Sequence, residues 1–202
     1  MKNNSSFKKG KIFILSGPSG SGKTTLYKKL LKEKKLKGML VRTISFTTRP
    51  SRPGEKWGRD YFFISRRMFL YKIKKGHFLE WQKVFDNFYG TSQKIVKGIL
   101  NSGKNVLMCI DVKGARIVSR KFPEAVKVFI KTTSLEELKK RLIQRGSEDQ
   151  KKINLRIKIA RKELAQVSHY NYVVINKNIQ KSYYELKNVV LTELNRFSLR
   201  SF

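Results

Sequence analysis

The sequence predicts an α/β protein: a parallel sheet with helices packed on both of its faces. Three observations carry this. Short apolar, β-prone runs alternate with helical stretches along the chain, the order from which parallel strand–helix units are built. The first run, Lys11–Ser16, enters a helix through a glycine-rich turn. Finally, 202 residues with 40% apolar content are enough for one domain that buries roughly 70% of its unfolded surface.

In chain order, KIFILS at 11–16 reads as a buried strand. A turn at Gly17–Gly22 leads to a helix from Lys23 to about Lys37, stopped by Gly38. Val41–Phe46 reads as a second strand. Residues 47–59, with two prolines, two glycines and three arginines, form a long loop, and loops of that length usually carry function. Asp60–Ile64 is a strand, and Ser65 caps a helix ending at Gly76. His77–Phe85 is extended, with a turn at Asp86-Asn87, and Ser92–Ser102 is a helix closed by Gly103. Asn105–Ile110 and Ala125–Lys131 are strands around a helix from about Gly114 to Arg120. Ser134-Leu-Glu-Glu137 is a capping box that opens a further helix. A polar break at Gly146–Gln150 precedes another, to about Ser168; Tyr172–Asn176 is the last strand, and a helix near 180–197 ends the pattern.

Composition narrows the function classes. A single cysteine, Cys109, excludes an intramolecular disulfide and an all-cysteine zinc site, and two histidines give zinc catalysis little support. No run approaches the ~20 apolar residues of a membrane span. The first ten residues lack the apolar stretch of a secretory leader. The expected compartment is the cytoplasm. With 46 Lys plus Arg against 14 Asp plus Glu the net charge is +32, which attracts polyanions and speeds encounter with small anions. The basic residues are spread over the whole chain, so a solvated surface explains them at least as well as a nucleic-acid site. No zinc-finger spacing or RNA-binding aromatic motif is present.

The sharpest local signal is Gly17-Pro18-Ser19-Gly20-Ser21-Gly22-Lys23-Thr24, a match to G-x-x-x-x-G-K-[ST] at every fixed position. It lies between a buried strand and a helix, as its chemistry requires. The glycines let backbone N–H groups turn inward on a phosphate, and the helix N-terminus adds positive potential. Lys23 can reach β- and γ-phosphates, and the Thr24 hydroxyl can ligate Mg²⁺. The motif points to a nucleoside triphosphate without choosing a reaction. A second anion site is readable at 43–61, where Arg49 and Arg52 stand three apart on a loop stiffened by Pro50 and Pro53. Their fork-like donors can grip one phosphate, with Tyr61 and Tyr89 adding hydroxyls. On the residues alone, a solvated basic loop reads equally well. Likewise Glu80 alone reads as an exposed strand carboxylate and Asp111 as a helix N-cap.

SGPSGSGKTT (16–25), ISFTTRPSRPGE (44–55), RDYFF (59–63), FLEW (78–81), YGTS (89–92), IDVKGA (110–115), KRLIQRG (140–146) and SHYNYVVIN (168–176) run in one order over nearly the whole chain. Together they resemble the guanylate kinase family, whose S-x-T-T-R-x-x-R-P-G-E signature is far more specific than the phosphate loop. The resemblance implies a P-loop kinase sheet (core 11–41, 92–134 and 161–202), an inserted GMP-binding part at 42–91 and a helical lid at 135–160. It implies Arg49, Arg52, Tyr61 and Tyr89 on the GMP phosphate, and Ser45, Glu80, Thr91 and Asp111 around the guanine. It also implies Arg141, Arg145 and Arg156 from the lid on the transferring phosphoryl group; the first two, four residues apart, share a helix face. The implied reaction is ATP plus GMP to ADP plus GDP, with dGMP as a second acceptor and Mg²⁺ as cofactor, in purine nucleotide metabolism. The implied partners are ATP and GMP, with neither a membrane nor a specific nucleic acid. Two other readings are a non-catalytic peptide-binding relative, against which the intact Lys23 and Thr24 argue, and a kinase of another nucleoside monophosphate.

The chain departs from the family pattern in three places. Cys109 stands where the first carboxylate of an Asp-x-Asp is usual, Asn176-Lys177 replaces Asn-Asp, and the SHY segment is shorter before its strand. His169, in that segment, reads as structural.

Overall fold

The run Ile12–Ser16 forms β1, and all five residues are buried. Its side chains alternate between two cores. Phe13 and Leu15 point into one with Leu26, Leu30, Leu186 and Val190, while Ile12 and Ile14 point into the other with Val96, Leu100, Ala115 and Val118. A strand buried on both faces needs helices on both sides, and the rest of the chain supplies them.

The computed structural model describes residues 9–144 and 150–199. After β1 come α1 (Lys23–Leu31), a 3-10 turn at Lys34–Leu36 and β2 (Leu40–Arg42). The short strands β3 (Phe46–Thr47) and β4 (Phe62–Phe63) follow, then α2 (Arg66–Lys74), β5 (Phe78–Val84) and β6 (Asn87–Ser92). The chain continues through α3 (Gln93–Asn101), β7 (Asn105–Cys109), α4 (Val112–Lys121) and β8 (Val126–Lys131). It ends with α5 (Leu135–Gln144), α6 (Gln150–Leu164), β9 (Tyr172–Ile175) and α7 (Ile179–Leu199).

The main sheet is parallel throughout, in the order β2-β7-β1-β8-β9. Its register sets Ile12 beside Val106 and Leu15 beside Cys109 on one side, and Phe13 beside Val126 on the other. The chain changes sides of β1 between β7 and β8, and ligands of open α/β sheets bind beyond the carboxyl ends of strands at such a switch. A second sheet, ordered β4-β3-β6-β5, pairs β3 and β5 antiparallel to β6. Its own core stacks Phe69 between Phe78 and Phe88.

Several boundaries differ from the sequence reading. The first helix stops at Leu31 and leaves only a 3-10 turn before Gly38. The run 41–46, read as one strand, splits between the two sheets: Arg42 ends β2, and Phe46 begins β3. A run of six cannot report such a split, because both halves are β-prone and half-buried. The strand expected at 60–64 shortens to Phe62–Phe63, and α6 ends at Leu164. Residues 145–149, which include Arg145 and most of the break expected at 146–150, lie outside the described residues. Among the described residues no helix is long and apolar enough to cross a membrane.

Candidate active site

The site begins where β1 ends. Ser16 Oγ donates to the Ile110 carbonyl at 2.8 Å, tying the end of β1 to the residue after β7. Gly17 then turns with a φ of 137°, and a Cβ there would lie 2.0 Å from the Ile130 carbonyl oxygen. Gly22 has a φ of 93°, and a Cβ on it would meet Asn176 Nδ2 at 2.1 Å. Only glycine fits either position. Asn176, just past β9, donates from Nδ2 to the Ser21 carbonyl at 2.8 Å and so pins the loop from the far side of the sheet. Arg141 donates to the Asn176 carbonyl at 2.9 Å and to Glu137 Oε1 at 2.7 Å.

Lys23, the first residue of α1, donates from Nζ to the carbonyls of Gly17 and Pro18 at 2.5 and 2.8 Å. Burial lowers its pKa, while Cys109, Glu163 and Asp111 oppose that shift. Those three groups are therefore near enough to Lys23 for their charge to act on it. Burial raises the Cys109 thiol, so that it stays neutral, and Thr24 is exposed on the first turn of α1.

Across the cleft, the second sheet gathers the residues around Glu80. A β-bulge between Phe78 and Glu80 re-aims the strand, and Glu80 pairs with Thr91 in the ladder. Thr91 Oγ1 donates to Glu80 Oε1 at 2.6 Å, and Ser45 Oγ lies 3.4 Å from Thr91 Oγ1. Glu80 is 5% exposed, and burial, assisted by the nearby Asp111 charge, raises its carboxyl to about 7. Asp111 caps α4 by accepting from the Gly114 N–H at 2.7 Å, and burial raises its pKa too. Gly114 lets the two carboxylates approach: a Cβ there would stand 2.7 Å from Glu80 Oε2 and 3.3 Å from Asp111 Oδ1. Glu80 is thus a buried carboxylate, whereas Asp111 is a helix cap that also faces the cleft.

The loop at 47–59 arranges its own cations. Arg49 Nη2 donates to both Glu55 oxygens at 2.9 and 2.8 Å, and its guanidinium lies 5.4 Å from the Tyr61 ring centroid. The Arg52 N–H donates to Glu55 Oε2 at 2.8 Å. Tyr61 and Tyr89 meet edge to face at 6.0 Å, and burial pushes the Tyr61 hydroxyl to about 12, keeping it a donor. Of the residues expected on phosphate and guanine, all but Asp111 stand on the second sheet or on the segments that join or adjoin its strands, and Asp111 comes from the N-cap of α4. Of the three arginines expected from the lid, the two described have different partners: Arg141, on α5, flanks the phosphate loop, and Arg156, on α6, lies over the Phe85 ring. His169 is exposed in a 3-10 turn outside this set.

Four structurally important residues escaped the sequence reading: Asn176, Glu55, Arg42 and Phe85. Asn176 and Glu55 lie inside stretches already singled out, but their partners are set by tertiary contacts. Arg42, at the end of β2, donates to the carbonyls of Arg59 and Asp60 at 2.9 Å each and lies 4.6 Å from the Tyr27 ring centroid. It braces the second sheet against α1.

A G-x-x-x-x-G-K-T loop between the central strand of a parallel sheet and the following helix is the arrangement of the P-loop nucleotide-binding proteins. The guanylate kinase family model matches residues 9–193. The guanylate kinase of Caldanaerobacter subterraneus subsp. tengcongensis is 44% identical over 187 residues, 92% of this chain and 89% of the relative. That of Hahella chejuensis is 44% identical over 192 residues, 95% and 91% of the two chains. The crystal structure of guanylate kinase from Anaplasma phagocytophilum, 33% identical, superimposes with a TM-score of 0.76 over 92% of this chain and 87% of that one. The chain belongs to the guanylate kinase family and is by class a nucleoside monophosphate kinase.

Proposed function

We propose that the chain transfers the γ-phosphoryl group of ATP to the phosphate of GMP, giving ADP and GDP, and accepts dGMP in the same way. The observation that carries the choice of base is the pair Glu80 and Asp111. Both carboxyls are raised by burial, and among the described residues neither makes an ion pair. Guanine presents N1–H and N2–H₂ as donors to such a pair, whereas adenine offers a bare ring nitrogen and no amino group at those positions. A site built to hydrogen-bond its substrate rejects an analogue strongly, because its buried groups are left unpaired.

Residues Gly17 to Thr24 cradle the ATP phosphates with backbone N–H groups, and Lys23 moves from the loop carbonyls onto the transferring phosphate. Arg49, Arg52, Tyr61 and Tyr89 hold the acceptor phosphate. Glu55 keeps Arg49 in place until it does so. Ser45 and Thr91 complete the guanine site with Glu80 and Asp111. Arg141, Arg145 and Arg156 complement the charge on the phosphoryl oxygens. Catalysis is positioning and electrostatic stabilisation, with no covalent intermediate.

The residues present suit Mg²⁺. Thr24 offers an exposed hydroxyl oxygen beside the loop, and the Asp111 and Glu163 carboxyls are near enough to Lys23 for their charge to act on it. Among the described residues no cluster of three acidic, histidine or cysteine side chains forms a metal cage. That is the donor set of an ion held by one or two protein oxygens, waters and substrate phosphates. When bound, Mg²⁺ neutralises charge on the β- and γ-phosphate oxygens. The cytoplasm, where ATP and GMP are available, is the compartment we assign.

A coupled assay of ADP release from ATP with GMP, AMP, UMP or dTMP tests the reading. ADP formation that depends on GMP is expected. An equal rate with AMP, or no ADP with any acceptor, would overturn it.

A further inference from the structure

Two separate apolar clusters flank the cleft. Leu138, Leu142, Ile153 and Ala160 hold α5 to α6, and Phe69, Phe78 and Phe88 form the core of the second sheet. A side-chain contact reaches between these bodies: the guanidinium of Arg156, on α6, lies over the ring of Phe85 at 5.0 Å from its centroid. Phe85 occupies the tip of the β5–β6 hairpin with a φ of 53°, the one positive φ outside glycine among the described residues. A bulky side chain in the left-handed region is strained, and glycine or asparagine would relieve it. Strain at a residue whose side chain is engaged across a cleft points to a use for that side chain.

We propose that Phe85 is a positioning residue for Arg156: the hairpin tip aims the lid arginine into the cleft and references it to the sheet that holds the acceptor. This rests on the reading of Arg156 as a cation for the transferring phosphoryl group. The chemistry of the contact suits the task. A guanidinium over a ring engages it with its flat face, and its N–H donors lie in the plane at the edge. The ring therefore restrains the group without consuming the donors that a phosphoryl group needs. The same hairpin carries Glu80 on β5 and Tyr89 and Thr91 on β6. An arginine resting on its tip is thus already placed relative to the acceptor, and ordering achieved before the reaction counts in the transition state.

The test combines Phe85→Leu, Phe85→Gly, Phe85→Trp, Arg156→Ala and the double variant Phe85→Leu/Arg156→Ala in steady-state kinetics. Loss of the ring should lower kcat about two- to fivefold, the scale of one partly exposed cation–π contact, with both KM values nearly unchanged. Phe85→Trp should keep wild-type kcat. Phe85→Gly, which removes the strain along with the ring, should melt above Phe85→Leu yet turn over as slowly; a purely structural role would make activity follow stability. In the Arg156→Ala background, Phe85→Leu should have no further effect. The proposal fails if that effect persists undiminished without Arg156, or if Arg156→Ala slows turnover while loss of the ring does not. If Arg156→Ala leaves kcat unchanged, the assignment of Arg156 to the phosphoryl group fails first and takes the proposal with it.

Discussion

Replacing Glu80 by Gln interrogates the guanine site through a proton as well as through turnover. Burial, with the Asp111 charge adding to it, raises the Glu80 carboxyl from 4.5 to about 7 against the favourable Thr91 hydrogen bond. Near pH 7 about half of the free protein therefore carries it neutral. The N1–H and N2–H₂ of guanine require the ionised form, so GMP binding expels the proton. A pKa near 7 gives release of about 0.9 proton at pH 6 and about 0.1 at pH 8, with GMP affinity rising about tenfold between them. The GMP phosphate titrates near pH 6 as well, equally in both proteins, so the difference between wild type and Glu80→Gln isolates the carboxyl. Calorimetric titration with GMP in two buffers of different ionisation enthalpy counts these protons. Stability supplies a second reading. The folded state binds the extra proton between pH 4.5 and about 7, so this group's contribution is present below that window and lost as pH rises through it. The whole step corresponds to about 3 kcal/mol. Free Glu80→Gln, with no charge to bury, should therefore gain stability over wild type as pH rises from 5 to 8, by at most that amount. Equal proton release by the two proteins at pH 6 would refute the reasoning.

Four further outcomes follow from the site. Lys23→Ala should cut turnover by roughly 10²–10³-fold while circular dichroism and the melting temperature hold, since the ammonium is disfavoured by burial; near-normal GMP-dependent ADP release would remove Lys23 from the reaction. Gly114→Ala, which places a methyl group 2.7 Å from Glu80 Oε2, should raise KM for GMP and leave KM for ATP alone, and equal KM values would show that the two carboxylates need no such close approach. Cys109→Asp should lower the Mg²⁺ concentration for half-maximal rate by about 10–100-fold, because a neutral, half-buried thiol is a poor outer-shell partner for a hard cation; superimposable Mg²⁺ titrations would take residue 109 out of metal handling. Binding to duplex DNA or RNA should be weak and fade with salt, as for a dispersed positive surface, and nanomolar sequence-selective binding at physiological salt would contradict that.

Chemistry written in contiguous residues was legible in the sequence, and chemistry assembled by tertiary contact was not. The strand–glycine turn–helix of residues 12–31 and the wider strand–helix alternation are local patterns, and both stand in the structure as read. Arg49 and Arg52 could be read as a pair because they stand three apart on one loop. Asn176 was passed over as a partner of the phosphate loop because 155 residues separate it from Ser21. Phe85 carries no local signal at all, since its positive φ and its arginine exist only once the hairpin and α6 are in place. Glu80 illustrates the limit best. A charged residue in a β-prone run reads as exposed, and only the packing of β5 against α4 makes it a buried carboxylate. The division of residues 41–46 between two sheets was hidden for the same reason, because both sheets ask for the same kind of residue.

The specificity constants for GMP, IMP and AMP, measured on one preparation with ATP and Mg²⁺ fixed, test the account most directly. GMP offers both donors to Glu80 and Asp111, IMP lacks the amino group, and AMP lacks both. The account predicts the order GMP, IMP, AMP, with GMP over AMP by about 10⁴ or more, the scale set by buried groups left unpaired. AMP within tenfold of GMP would contradict it.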